Sequence, residues 1–166
     1  RPSMELHHAG PPSGAQHSLR LRRQAIARIL GIIIAASSLT KLPPALLAMA
    51  LGEDTAAEFL SSFALSMTIG LALWLPVRHV DYQLRLRDGF LIVTLTWLVA
   101  SLVSALPFMY APPYLSFSQA VFESASGLTT TGATVISGLD ALPKSVLFYR
   151  QVLHFVGGMG IVILSV

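Results

Sequence analysis

Apolar residues gather along this chain into four long blocks, and the links between them carry most of the charges and turn residues. The first block runs from Ile26 to Leu51, interrupted by Lys41 and kinked by Pro43-Pro44. The second, Phe59 to Val77, and the third, Gly89 to Met109, contain no charged residue, and the third ends around Pro107. The fourth, Val146 to Val166, carries Arg150 and His154 near its start. A bilayer core of ~30 Å is crossed by about 20 apolar residues in a helix. The pattern therefore predicts an all-α polytopic membrane protein.

Composition agrees. Of 166 residues, 54% are apolar and only 11% charged, whereas a soluble domain carries roughly a quarter charged residues. Cysteine is absent, which excludes disulfides and thiolate metal sites. The charges set the orientation. Arg20, Arg22, Arg23 and Arg28 precede or open the first block, and Arg78, Arg85 and Arg87 link the second to the third. The link between the first two is acidic, with Glu53, Asp54 and Glu58. Basic links face the cytoplasm, so the N-terminus is expected inside. Residues 1–19, with His7, His8 and His17, have no apolar period and read as a disordered tail rather than a metal site. The basic start and the "AMA" at Ala48 to Ala50 also suit a cleaved signal peptide, but Lys41 and two prolines interrupt the apolar stretch before that point.

The chemistry concentrates between the third and fourth blocks, Tyr110 to Ser145. Pro112-Pro113 stops a preceding helix, and "SFSQ" at Ser116 to Gln119 fits a capping box. A helix over 117–128 would be about 18 Å long, enough to descend halfway through a membrane. The sequence Thr129-Thr130-Thr131-Gly132-Ala133-Thr134 is a poor helix candidate. As an extended return it covers up to ~20 Å. Helix down and strand back match in length, the geometry of a pore loop. Backbone carbonyls there can replace the water around a cation, and Gly132 supplies torsions that a Cβ resists. The short helix would point its partly negative C-terminal end at the ion path. The plainer reading is a threonine-rich outer loop.

"FESASGLTTTGATVISGLDALP" followed by "FYRQVLHFVGGMGIVIL" resembles the first pore repeat of the TrkH family, the Trk-type bacterial potassium uptake proteins. "RDGFLIVTLTWLVASLVSALPF" resembles the helix before it, and the similarity runs from about Ile26 to Val166. Related KtrB subunits lack the two leading helices present here. The resemblance implies a tail (1–24), a leading transmembrane helix pair (25–86) and one helix–pore loop–helix repeat (87–166). Within the repeat it implies outer helix 88–109, pore helix 117–128, filter 129–134 and inner helix 145–166. It further implies potassium ion as the bound and transported species, held by carbonyls of Thr130 and Thr131 with Thr129 and Gly132 beside them. Four such repeats would surround one pore in the bacterial inner membrane. The implied assembly is a homodimer with a TrkA-like nucleotide-binding regulator and membrane lipid, without nucleic acid. Proton or sodium symport and channel-like passage both stay open.

Glu123 is an ionisable group within the short helix, where such groups are usually partnered. It lies six residues into that helix, ~9 Å, and Arg150 lies seven residues past Pro143, ~10 Å. The two are expected to pair and brace the filter; a cation lure is the alternative for Glu123. Gly157, Gly158 and Gly160 suit close helix packing or a bend. His154 reads as a packed, hydrogen-bonded histidine. Lys41 has no evident role and is expected to snorkel or find a local partner. No phosphate loop, metal cluster or nucleophile–base spacing suggests an enzyme. A truncated, non-transporting membrane-interaction protein and a KtrB-like sodium-coupled subunit are the competing functional readings.

Overall fold

Strong helix formers fill "RLRRQAIARIL", and they carry one helix, α1, over Ser13–Leu39. The computed structural model describes residues 13–79 and 86–165. Residues 13–24, expected to belong to a disordered tail, are instead the opening turns of α1. His7 and His8 lie outside the described residues. The chain breaks at Thr40-Lys41 and restarts as α2, Leu42–Leu51. Pro43 and Pro44 occupy the first turn of α2, where a missing N–H costs nothing, so they start a helix rather than kink one. α2 stops at Gly52, which takes a left-handed φ of 68°.

α3 covers Ala56–Trp74, and a single 3₁₀ turn, Leu75–Val77, forms around Pro76. α4 covers Leu86–Ser104, α5 Leu106–Tyr110, α6 Phe117–Leu128 and α7 Lys144–Ser165, with a 3₁₀ turn at Leu139–Ala141 before α7. No strand occurs among the described residues. Among the described residues, three helical stretches are long and apolar enough to cross a membrane: Leu19–Leu51, Ala56–Val77 and Asp88–Tyr110. The fourth apolar block forms α7, 22 residues long.

α1 and α3 pack antiparallel and very close. A Cβ on Gly31 would meet the Gly70 carbonyl oxygen at 2.9 Å, and one on Gly70 would meet the Ala35 nitrogen at 2.7 Å. Tyr149 of α7 centres the remaining core. Its ring packs edge-on against Phe59 of α3 at 5.5 Å and at a tilt against Phe108 of α5 at 5.2 Å. Its hydroxyl donates to the Ser104 carbonyl of α4 at 2.9 Å. One side chain thus ties α7 to three other helices.

Polar contacts latch the link between α2 and α3 to the start of α7. The Glu53 carboxylate accepts the backbone N–H of Lys144 at 2.8 Å and of Ser145 at 3.1 Å, and Thr55 and Ser145 hydroxyls meet at 2.7 Å. A carboxylate against free amides at a helix start is favourable. Burial is the largest single influence on Glu53 and raises its carboxyl, but the hydrogen bonds from Ser145 and Lys144 and the Lys144 charge together outweigh it and hold the carboxyl below the ordinary value. Lys41 departs from expectation. It does not snorkel: the break between α1 and α2 turns it inward, fully buried, and its Nζ has no hydrogen-bond partner among the described residues.

Candidate functional site

Ser116 adopts an extended ψ of 159° and caps α6 reciprocally with Gln119, whose Oε1 accepts the Ser116 N–H at 3.1 Å. From that cap α6 runs 12 residues, about 18 Å, and buries Ala120, Glu123, Ser124, Ser126, Gly127 and Leu128. Ser124 anchors it to α4 by donating to the Ser101 carbonyl at 2.6 Å.

The segment after α6 is held rather than loose. Thr129 N–H bonds the Ala125 carbonyl and Thr130 N–H that of Gly127. The N–H groups of Thr131 and Gly132 both reach the Ser126 carbonyl, at 3.0 and 3.4 Å. The Ser126 hydroxyl then donates to the Ala133 carbonyl at 2.6 Å. With these amides committed to the helix end, the return is not the extended strand expected from the sequence. It curls, with φ of 57° at Thr130 and 76° at Gly132. A positive φ on a β-branched residue is a genuine outlier, and such strain persists only where the surroundings enforce it. Gly132 is required for its torsion, not for space, since the nearest atom to an added Cβ is His154 Nε2 at 3.9 Å.

Thr129, Thr130, Thr131 and Gly132 are exposed. Among the described residues, no donor reaches the carbonyl oxygens of Thr130, Thr131 or Gly132, while the Thr129 carbonyl accepts the Thr130 hydroxyl at 2.7 Å.

Glu123 and Arg150 are brought together. Arg150 Nε lies 2.7 Å from Glu123 Oε1, with side chains 11% and 1% exposed. The same carboxylate accepts the Thr134 hydroxyl, 3.0 Å from each oxygen, and the Val135 N–H at 3.2 Å. Sequence reasoning missed Thr134, Val135 and Ser126. The available signal was a further hydroxyl two residues beyond Gly132, within reach of a buried acid that needs more than one donor.

α7 closes the back of the site. A Cβ on Gly157 would overlap the Leu128 carbonyl, whereas Gly158 has only an ordinary contact with Thr130 Cγ2 at 3.6 Å and Gly160 faces open space. The close approach therefore belongs to Gly157. His154 donates from Nδ1 to the Arg150 carbonyl at 2.8 Å, which leaves Nε2 towards Gly132. No cluster of three or more His, Cys, Asp or Glu suited to a metal occurs among the described residues.

Residues 55–166 match the family profile TrkH, described as cation transport protein. The chain belongs to the TrkH family. The Trk system potassium uptake protein TrkH of Vibrio parahaemolyticus is 47% identical over 144 residues, and TrkH of Escherichia coli K12 is 46% identical, each alignment covering 86% of this chain. TrkG of the same E. coli strain is 37% identical over a similar stretch. The crystal structure of the V. parahaemolyticus potassium transporter TrkH superposes with a TM-score of 0.81 at 46% identity, over 85% of this chain. The chain spans about 30% of the length of these relatives. As a member of the TrkH family with three apolar membrane-length helices among the described residues, it is an all-α, multi-pass membrane protein with the fold of a TrkH transporter over this stretch.

Proposed function

We propose that this chain supplies one of four repeats of a potassium-conducting pore in the bacterial inner membrane, with Thr129–Gly132 as its share of the selectivity filter. One observation carries the reading: the carbonyls of Thr130, Thr131 and Gly132 are unclaimed among the described residues, on a segment held by hydrogen bonds at both ends. A cation leaving water needs oxygens that are not already bonded, at fixed positions. Left-handed torsions at Thr130 and Gly132 take the segment out of strand geometry, in which successive carbonyls point to opposite sides. The C-terminal end of α6 adds negative potential there. In this reading K⁺ binds the carbonyls of Thr130 and Thr131 with Thr129 and Gly132 beside them. Glu123 and Arg150 brace the filter, and Gly157 lets α7 press against it.

One loop surrounds an ion on one side only. Longer relatives named as potassium uptake proteins support three further repeats outside this chain. The family resemblance supports a cytoplasmic N-terminus, a homodimer and a TrkA-like regulator. The domain divisions at residues 24 and 86 belong to the same reading.

Potassium uptake in a transport-deficient bacterial strain tests it. The native reading frame that contains this chain should restore uptake, residues 1–166 alone should not, and Gly132→Ala in the long frame should abolish or strongly reduce it. Full uptake by the Gly132→Ala protein would exclude Thr129–Gly132 as the filter. A native protein that ends at Val166 and carries no potassium would favour the non-transporting reading.

A further inference from the structure

The first turns of the Leu19–Leu51 span carry a feature that ion passage does not use. A cavity of about 670 Å³ opens between α1 and the 3₁₀ turn after α3, lined by Leu19, Arg20, Arg23, Gln24, Ala27 and Val77. Positions 20, 23, 24 and 27 form one helical stripe. Arg22, on another face, is committed to Asp88 of α4 at 2.6 Å. Arg20 and Arg23 are exposed and form no ion pair among the described residues. Its lining combines guanidinium and amide groups with the apolar side chains of Leu19, Ala27 and Val77. It also begins where the membrane-length stretch begins, the depth of lipid headgroups.

We propose that this cavity binds an anionic phospholipid. Arg20 and Arg23 hold the phosphate, and Gln24 donates to a phosphate or glycerol oxygen. Leu19, Ala27 and Val77 take the start of an acyl chain. Guanidinium groups match phosphate oxygens in pairs, and basic pockets between membrane helices suit acidic headgroups. A free phosphate would satisfy the arginines but leave the apolar wall wet. The proposal rests only on the membrane placement of Leu19–Leu51 and not on potassium passage.

Lipid retention by native mass spectrometry tests it, with the native protein in detergent titrated with phosphatidylglycerol, phosphatidylcholine or inorganic phosphate. Phosphatidylglycerol should be retained over phosphatidylcholine. Arg20→Gln with Arg23→Gln should weaken it roughly 10-fold or more, and Lys144→Gln at the opposite membrane face should leave it unchanged. Ala27→Phe fills the apolar side without changing charge and should displace the lipid, which decides the matter even if the double variant fails to fold. Equal retention of the two lipids, retention in the Ala27→Phe protein, or phosphate binding without lipid preference would overturn the proposal.

Discussion

Glu123 does three jobs with one carboxylate: it pairs with Arg150 and accepts from Thr134 and Val135. A buried acid held this way is costly to disturb on one side. Glu123→Gln should destabilise the native protein by about 3–5 kcal/mol, because Arg150 is left buried without its counter-charge. Glu123→Gln with Arg150→Met should recover part of that loss, as read by thermal unfolding in detergent. Lys41 presents the reverse case, a buried polar atom with no partner among the described residues. Lys41→Met keeps the shape and removes the unsatisfied group, so stability should rise by about 1–3 kcal/mol. A drop would show that the ammonium has a partner that matters. The acid's pairing was legible because helix rise puts positions 123 and 150 at one depth. Lys41's inward turn was not, since it depends on where α1 stops, and the double proline suggested a kink rather than a fresh start.

At the scale of elements, caps and close contacts decide the arrangement. Ser116 and Gln119 marked the start of α6 in the sequence, and Ser116 caps the helix that begins at Phe117. The segment after α6 was less legible. Threonine-rich composition suggests extension, but Ser126 draws two amides and a carbonyl back onto the helix end. Such long-range bonds leave no local pattern. The same holds for Glu53, which sits in a link yet caps α7, 91 positions away. Its carboxyl titrates below the ordinary value in the folded protein. Its contribution is therefore present at neutral pH and is lost as pH falls below the usual glutamate range of about 4.3. Glu53→Gln should flatten the acid limb of the stability profile between about pH 5 and 3. An unchanged acid limb in thermal unfolding would show that the latch contributes little.

For the whole molecule, the surface matters as much as the core. α7 presents Phe148, Phe155 and Met159 at 40%, 69% and 50% exposure, beside the candidate filter. Part of such a surface faces lipid and part suits protein neighbours that the longer relatives contain. Residues 1–166 alone should extract from membranes as a polydisperse species, and the longer native frame as a monodisperse one, by size-exclusion chromatography. Equal behaviour would mean that the exposed stripe needs only lipid. The membrane blocks made the architecture legible, because burial in a bilayer writes itself as long apolar runs. The expectation of further repeats came only from counting candidate filters, for a pore is a property of an assembly and no single loop encodes it.

Where Gly157 meets the Leu128 carbonyl, backbone touches backbone, and little lies between them to slide. Above that point α7 is a strut: the Glu53 latch fixes its head, Tyr149 its middle and Leu128 its waist. Past it, Gly158 has only an ordinary contact with Thr130 and Gly160 faces open space. The fulcrum of any swing in this helix therefore sits at Gly157, with the part of α7 before it held at three points and the part after it less constrained.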